Sequence, residues 1–114
     1  MTSIDLEQFF QNLAMKLQVE STLDFDSTIQ FHLNGEGGGD WYMVIQGRLF
    51  TVGRGIAEKP DAVLETDAED FAYMMTASQE EIGWAFMQGR FNMIGIIMPL
   101  WRVLAFLREV QMKS

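Results

Sequence analysis

The chain reads as a two-layer α+β domain in the order α-β-β-β-β-α-α-β-α. Three observations predict it. The apolar period is 3.6 residues near the start, switches to 2 from Phe25 onward, and returns to 3.6 after Thr66. Short glycine-containing turns join the first strands, which suits an antiparallel meander. The first strand has one apolar and one polar face, so a single layer of helices on the apolar face is the economical packing.

Taken in order, a first helix is expected after Ser3, an N-cap residue type, with Leu6, Phe10, Leu13 and Leu17 at helical spacing and Phe9 widening the face. From Phe25 to Asn34, Phe25, Ile29, Phe31 and Leu33 share one side, while Asp26, Thr28, Gln30, His32 and Asn34 share the solvated one. The glycine-rich turn to Asp40 leads to a second strand over Trp41–Gln46, and Gly47-Arg48 reverses the chain into a third over Leu49–Val52. After Pro60-Asp61, Ala62–Glu65 forms a short fourth strand.

Thr66-Asp67-Ala68-Glu69 fits a capping box for a helix carrying Phe71, Met74 and Met75. Ser78-Gln79-Glu80-Glu81 is a second such box, opening a helix with Ile82, Trp84, Ala85 and Phe86 that should stop at Gly89. Arg90–Ile94 is the fifth strand. A last helix runs from Pro99 to about Met112.

Composition narrows the function classes. With 114 residues there is room for one domain, taken as residues 1–114. The net charge of −8 repels phosphate backbones, so no nucleic-acid partner is expected. The absence of cysteine excludes thiolate metal sites, disulfides and thiol nucleophiles. No targeting signal is legible around Asp5, and a reducing cytoplasm is the expected location.

His32, the single histidine, lies on the polar strand face and cannot complete a catalytic or metal constellation alone. The glycine runs lack both the dinucleotide and phosphate-loop patterns. Glu65, Asp67, Glu69 and Asp70 gather at a helix N-terminus, where the dipole accounts for them. No enzyme activity, cofactor or metal is expected.

What remains is an apolar surplus. Between Met93 and Leu107 only Arg102 is charged, and Leu100, Trp101, Val103, Leu104, Phe106 and Leu107 would cover nearly every direction of a helix. Such a helix is wrapped by protein, covered in a homodimer, or turned to a ligand. Ile97, Trp101 and Leu104 share one face by spacing, while Arg102 and Glu109 mark the wet side, so Trp101 is expected to point inward. Nine methionines and nine phenylalanines serve either as core filler or as an adaptable surface for varied apolar ligands.

The motifs Gly35-Glu36-Gly37-Gly38-Gly39-Asp40-Trp41, Pro60-Asp61-Ala62, Asp67-Ala68-Glu69-Asp70-Phe71 and Ala85-Phe86-Met87-Gln88-Gly89-Arg90, with Ile94-Gly95 after them, resemble the sterol carrier protein type 2 family in order and spacing. The resemblance covers about Phe31 to Leu107. It implies a five-stranded mixed sheet covered by helices, with an apolar tunnel between the layers.

It also implies non-enzymatic binding of a lipid-like small molecule: a sterol, fatty acid, fatty acyl-CoA or phospholipid. On this chain the tunnel would draw on Phe71, Met74, Met75, Trp84, Met87, Ile94, Ile97, Met98, Trp101 and Leu104. Two departures remove charge: Ala77-Ser78 stands where the family commonly has Gly-Lys, and Gly95-Ile96 where it has Gly-Asp. The departures leave the family's head-group preference open for this chain and point to a more apolar cavity or a hidden oligomer contact. A lipid carrier with transient membrane contact is the first functional expectation. An accessory module docking onto enzymes of lipid or isoprenoid-quinone metabolism is the alternative.

Overall fold

In the computed structural model, residues 5–15 and 23–112 are described. The elements are α1 (Leu6–Met15), β1 (Phe25–Asn34), β2 (Gly39–Gly47), β3 (Leu49–Arg54), β4 (Ala62–Asp67), α2 (Ala68–Thr76), α3 (Gln79–Met87), β5 (Asn92–Gly95) and α4 (Ile97–Met112). The helix and strand order is the one expected. The strands form one sheet in the order β3-β2-β1-β4-β5. All neighbours are antiparallel except β1 and β4, which makes the sheet mixed.

The helices cover one face. Ile29, Phe31, Leu33, Met43, Ile45 and Leu64 point into the layer between them and the sheet, and all are buried. Phe10 of α1 is its hub: its ring stacks on Trp41 at 5.0 Å and lies 5.5 Å from Phe31 and 5.9 Å from Phe71. Aromatic pairs at these separations add to the stabilisation from area burial. The N-cap of α1 is Asp5, whose Oδ1 accepts from the Gln8 N–H at 3.1 Å. Ser3 and Leu17, expected at either end of that helix, lie outside the described residues.

The opposite face departs from the sequence reading at Gln30. That residue stands on the side expected to be solvated, yet it is fully buried. The chain leaving β3 at one edge must cross this face to reach β4 on the far side of β1. Gln30 clamps the crossing: its amide donates to the carbonyls of Gly55 (2.9 Å) and Trp41 (3.1 Å), and its Oε1 accepts from Ala57 N–H (2.7 Å). A buried amide satisfied in this way stabilises the connection. Gly53 belongs to the same face, where a Cβ would sit 2.3 Å from the Tyr42 ring. His32 is half-buried there, with Nδ1 2.7 Å from Asp40 Oδ1.

Two local details at the helix starts also differ. Thr66 does not cap α2; it is the buried penultimate residue of β4, and its hydroxyl donates to the Arg90 carbonyl at 2.7 Å. Asp67 takes the N-cap position without a side-chain cap bond. At α4 the first turn begins at Ile97 rather than Pro99, which proline tolerates because amides of the first turn lack intrahelical partners.

Candidate functional site

The second capping box forms as its spacing predicts. Ser78 Oγ accepts from Glu81 N–H, and Glu81 Oε1 accepts from Ser78 N–H, both at 3.1 Å. These bonds favour the charged carboxylate and hold the Glu81 pKa below its ordinary value, with the Tyr73 hydroxyl contributing as a donor at 3.1 Å. Burial, and then the Glu81 carboxylate, push the Tyr73 pKa up. Gly89 ends α3 in the left-handed conformation, with φ of +76°. The helix is thereby fixed at both ends by short-range chemistry.

Longer-range contacts lock α2, α3 and α4 together. Arg90 donates from Nε (2.9 Å) and Nη2 (2.6 Å) to Asp70 Oδ1 and lies over the Tyr73 ring at 4.6 Å. Asp70 in turn raises the Arg90 pKa. Arg108 of α4 donates to the carbonyls of Met74 (Nε, 3.1 Å) and Ala77 (Nη2), satisfying oxygens at the α2 C-terminus.

On this frame nine of the ten residues expected to line a tunnel separate into two sets, and Ile94 stands apart. Phe71, Met74, Met75 and Leu104 are buried in the interlayer core, and Ile97 is half-buried. Trp84 (63% exposed), Met87 (78%), Met98 (70%) and Trp101 (40%) stand at the surface of α3 and α4.

The structure turns Trp101 outward, correcting the inward orientation expected from its spacing. The α4 stripe facing protein is Leu100, Val103, Leu104, Phe106 and Leu107, and Trp101 flanks it. Ile94 parts from the others altogether: it pairs with Val63, whose register partner is Gln30, which puts it on the sheet face away from the helices.

Phe86 is a member of the surface group that the site expectation did not include. Its ring centroid is 5.8 Å from that of Trp101, and this contact joins α3 to α4. Ile96, in the link before α4, is also exposed. The signal available for both was their place in the apolar run from Phe91 and in the α3 pattern; which way they face depends on how the two helices meet.

The result is a set of exposed apolar side chains on two helices, Trp84, Phe86 and Met87 on α3 and Met98 and Trp101 on α4, bridged by the Phe86–Trp101 contact. Single exposed apolar side chains are ordinary on protein surfaces, and large contiguous groups are not. Among the described residues no cluster of three or more His, Asp or Glu side chains is placed to hold a metal ion. None of the described helices is long and apolar enough to cross a membrane.

The sequence profile of the SCP-2 sterol transfer family matches residues 6–102. The chain belongs to this family. Its SCP-2 domains are in general non-enzymatic lipid-binding modules, and the membership supports lipid binding. The chain is 29% identical over 93 residues to the hydroxysteroid dehydrogenase-like protein 2 of Rattus norvegicus, covering 81% of this chain and 18% of the rat protein. It thus spans less than a fifth of that relative's length.

Solved structures share the SCP-2 fold. The palmitated SCP2L2 of Aedes aegypti superposes with a TM-score of 0.65 at 19% identity, over 95% of each chain. The UbiJ-SCP2 ubiquinone synthesis protein does so with a TM-score of 0.66 at 14% identity, over 92% of this chain and 93% of that one.

Proposed function

We propose that this SCP-2 domain is a non-enzymatic carrier that holds one long apolar ligand between its helical layer and sheet. The ligand class is a sterol, fatty acid, fatty acyl-CoA or similar lipid. The supporting observation is the exposure of Trp84, Phe86, Met87, Met98 and Trp101 on α3 and α4, with Phe86 and Trp101 in contact, on helices that also carry part of the buried apolar layer. In this reading the surface cluster is the mouth of an apolar tunnel, and α4 is the element that shifts to admit the ligand. A cytoplasmic location, transient contact with membranes during loading, and pairing of two copies through the same face belong to this proposal.

The test is native mass spectrometry of gently purified protein followed by solvent extraction. Titration with fatty acids, acyl-CoA, sterols and quinones completes it. Retention of about one lipid per chain without turnover is expected, and absence of binding across the panel would sink the carrier reading. Trp101→Ala sharpens it. With Trp101 at the mouth, the change should weaken binding by about 1–3 kcal/mol and cost little stability in the ligand-free protein. A loss of about 3–5 kcal/mol of stability with unchanged affinity would assign the side chain to the core.

A second reading takes the same surface as a docking face for enzymes of lipid or isoprenoid-quinone metabolism. It draws on the shared fold with the UbiJ-SCP2 ubiquinone synthesis protein. A defined complex in lysate that forms equally well with lipid-stripped protein would favour it over the carrier.

A further inference from the structure

Ser27 lies on β1 with its side chain on the helix-covered face, in alternation with Ile29, Phe31 and Leu33. The residue is 6% exposed, and its Oγ has no hydrogen-bond partner. Native interiors almost always satisfy such atoms, so an orphaned hydroxyl calls for a use. The other two buried polar residues meet this rule. Gln30 is bonded through both ends of its amide, and Thr66 donates to the Arg90 carbonyl. Ser27 is the one exception among the described residues.

Its surroundings are apolar. Across the sheet it pairs with Ile45, which pairs in turn with Phe50, and the Phe50 ring meets Phe106 of α4 at 5.5 Å. On the other side, β4 begins at Ala62 opposite Ile29. Helix α4 packs against both β4 and β1 and brings Leu100, Val103, Leu104 and Leu107 to that layer as its buried stripe. The hydroxyl therefore points into the interlayer region where the carrier reading puts the ligand.

Among the described residues the cations are either paired or at the surface. Arg54 is paired with Glu7, Arg90 with Asp70, and Arg108 with the α2 carbonyls, while Arg48, Lys59 and Arg102 are exposed. His32 is on the opposite face of the sheet, bonded to Asp40. A carboxylate or phosphate brought to Ser27 would be buried without a counter-charge from any of these described cations, which is strongly unfavourable. An alcohol or ketone needs only one hydrogen bond, and a hydroxyl serves as donor or acceptor.

We propose that Ser27 Oγ is the hydrogen-bond partner of the ligand's polar end, and that the ligand is a neutral amphiphile with a single polar group, such as a long-chain alcohol, a ketone or a sterol. This rests on the carrier reading and narrows it by charge.

The experiment compares hexadecanol with hexadecanoate at about pH 8, where the acid is ionised, on the wild-type chain and on Ser27→Ala. The wild type should bind hexadecanol more tightly than hexadecanoate. Ser27→Ala should weaken hexadecanol binding about five- to tenfold, as for one lost hydrogen bond, and change hexadecanoate binding by less than about twofold. The same variant should raise the melting temperature of ligand-free protein by a few degrees, because it removes an unsatisfied buried group.

Opposite signs for stability and affinity are the signature of a polar group kept for a ligand. Equal or tighter binding of hexadecanoate overturns the charge argument. Unchanged hexadecanol affinity in the variant, or a lowered melting temperature, overturns the role of Ser27 while leaving the carrier intact. If the wild type binds neither probe and no member of the wider lipid panel, the carrier reading falls and this proposal with it.

Discussion

Helices α2 and α3 are neighbours of nine residues each, both rich in large apolar side chains, yet they use them in opposite ways. In α2, Phe71, Met74 and Met75 are buried against the sheet and α4. In α3 only Ile82 and Ala85 are buried, and Trp84, Phe86 and Met87 face outward. Their ends differ as well. The N-cap of α2 makes no side-chain bond, and its C-terminal carbonyls depend on Arg108 of a distant helix. The α3 N-terminus carries a complete capping box. A helix held by its tertiary contacts can spend its apolar side chains on the core. One held by its own caps can leave them available to a ligand or partner.

The largest effect that tests this contrast is expected at Phe71, which contacts both Phe10 and Phe31. Phe71→Ala should destabilise the domain by about 3–5 kcal/mol in chemical denaturation, through lost burial and the cavity left behind. A cost below about 1 kcal/mol would mean that a pre-existing void already adjoins the ring, moving it from core to ligand wall.

Ser78→Ala probes the other helix. It should cost about 1 kcal/mol by loss of the cap bond, and hydrogen exchange should show the loss concentrated in the first turn of α3. A destabilisation as large as that of Phe71→Ala would break the distinction between locally and globally held helices.

Replacing both Trp84 and Met87 by alanine should change stability by less than about 0.5 kcal/mol, as for ordinary exposed positions. The same double variant should lose affinity for apolar ligands in titration. Unaltered binding would confine the site to the interlayer and the α4 start.

The smallest effect is electrostatic. Because the folded-state pKa of Glu81 is lowered, its contribution is present above the unfolded-state value near 4.5 and is lost as pH falls through the folded value. A plot of melting temperature against pH should therefore be slightly less steep on the acid side for Glu81→Gln than for the wild type. Superimposable slopes would assign the acid sensitivity to other carboxylates.

Legibility in the sequence tracked the range of the interaction. The alternation of Ile29, Phe31 and Leu33, the turn at Gly47, the Ser78 box and the stop at Gly89 are settled within a few residues, by side-chain period, cap chemistry or positive φ. The element order and the apolar surplus on α4 follow from the same short-range pattern, and the family resemblance follows from the order of the motifs.

What only the tertiary structure decided involves partners far apart in the chain. Gln30 sits on a strand face that alternation marks as wet, and it is buried because a connection some 25 residues later crosses over it. Thr66 has the sequence of a helix cap, but the carbonyl of Arg90 claims its hydroxyl. Trp101 shares a helical face with Leu104 by spacing alone. The rotation of α4 about its axis is set by Phe50, Phe86 and the carbonyls that Arg108 satisfies, and that rotation leaves Trp101 at the surface. Periodicity fixes which residues lie together on an element; the direction they face is a property of the neighbours, because burial depends on what packs there.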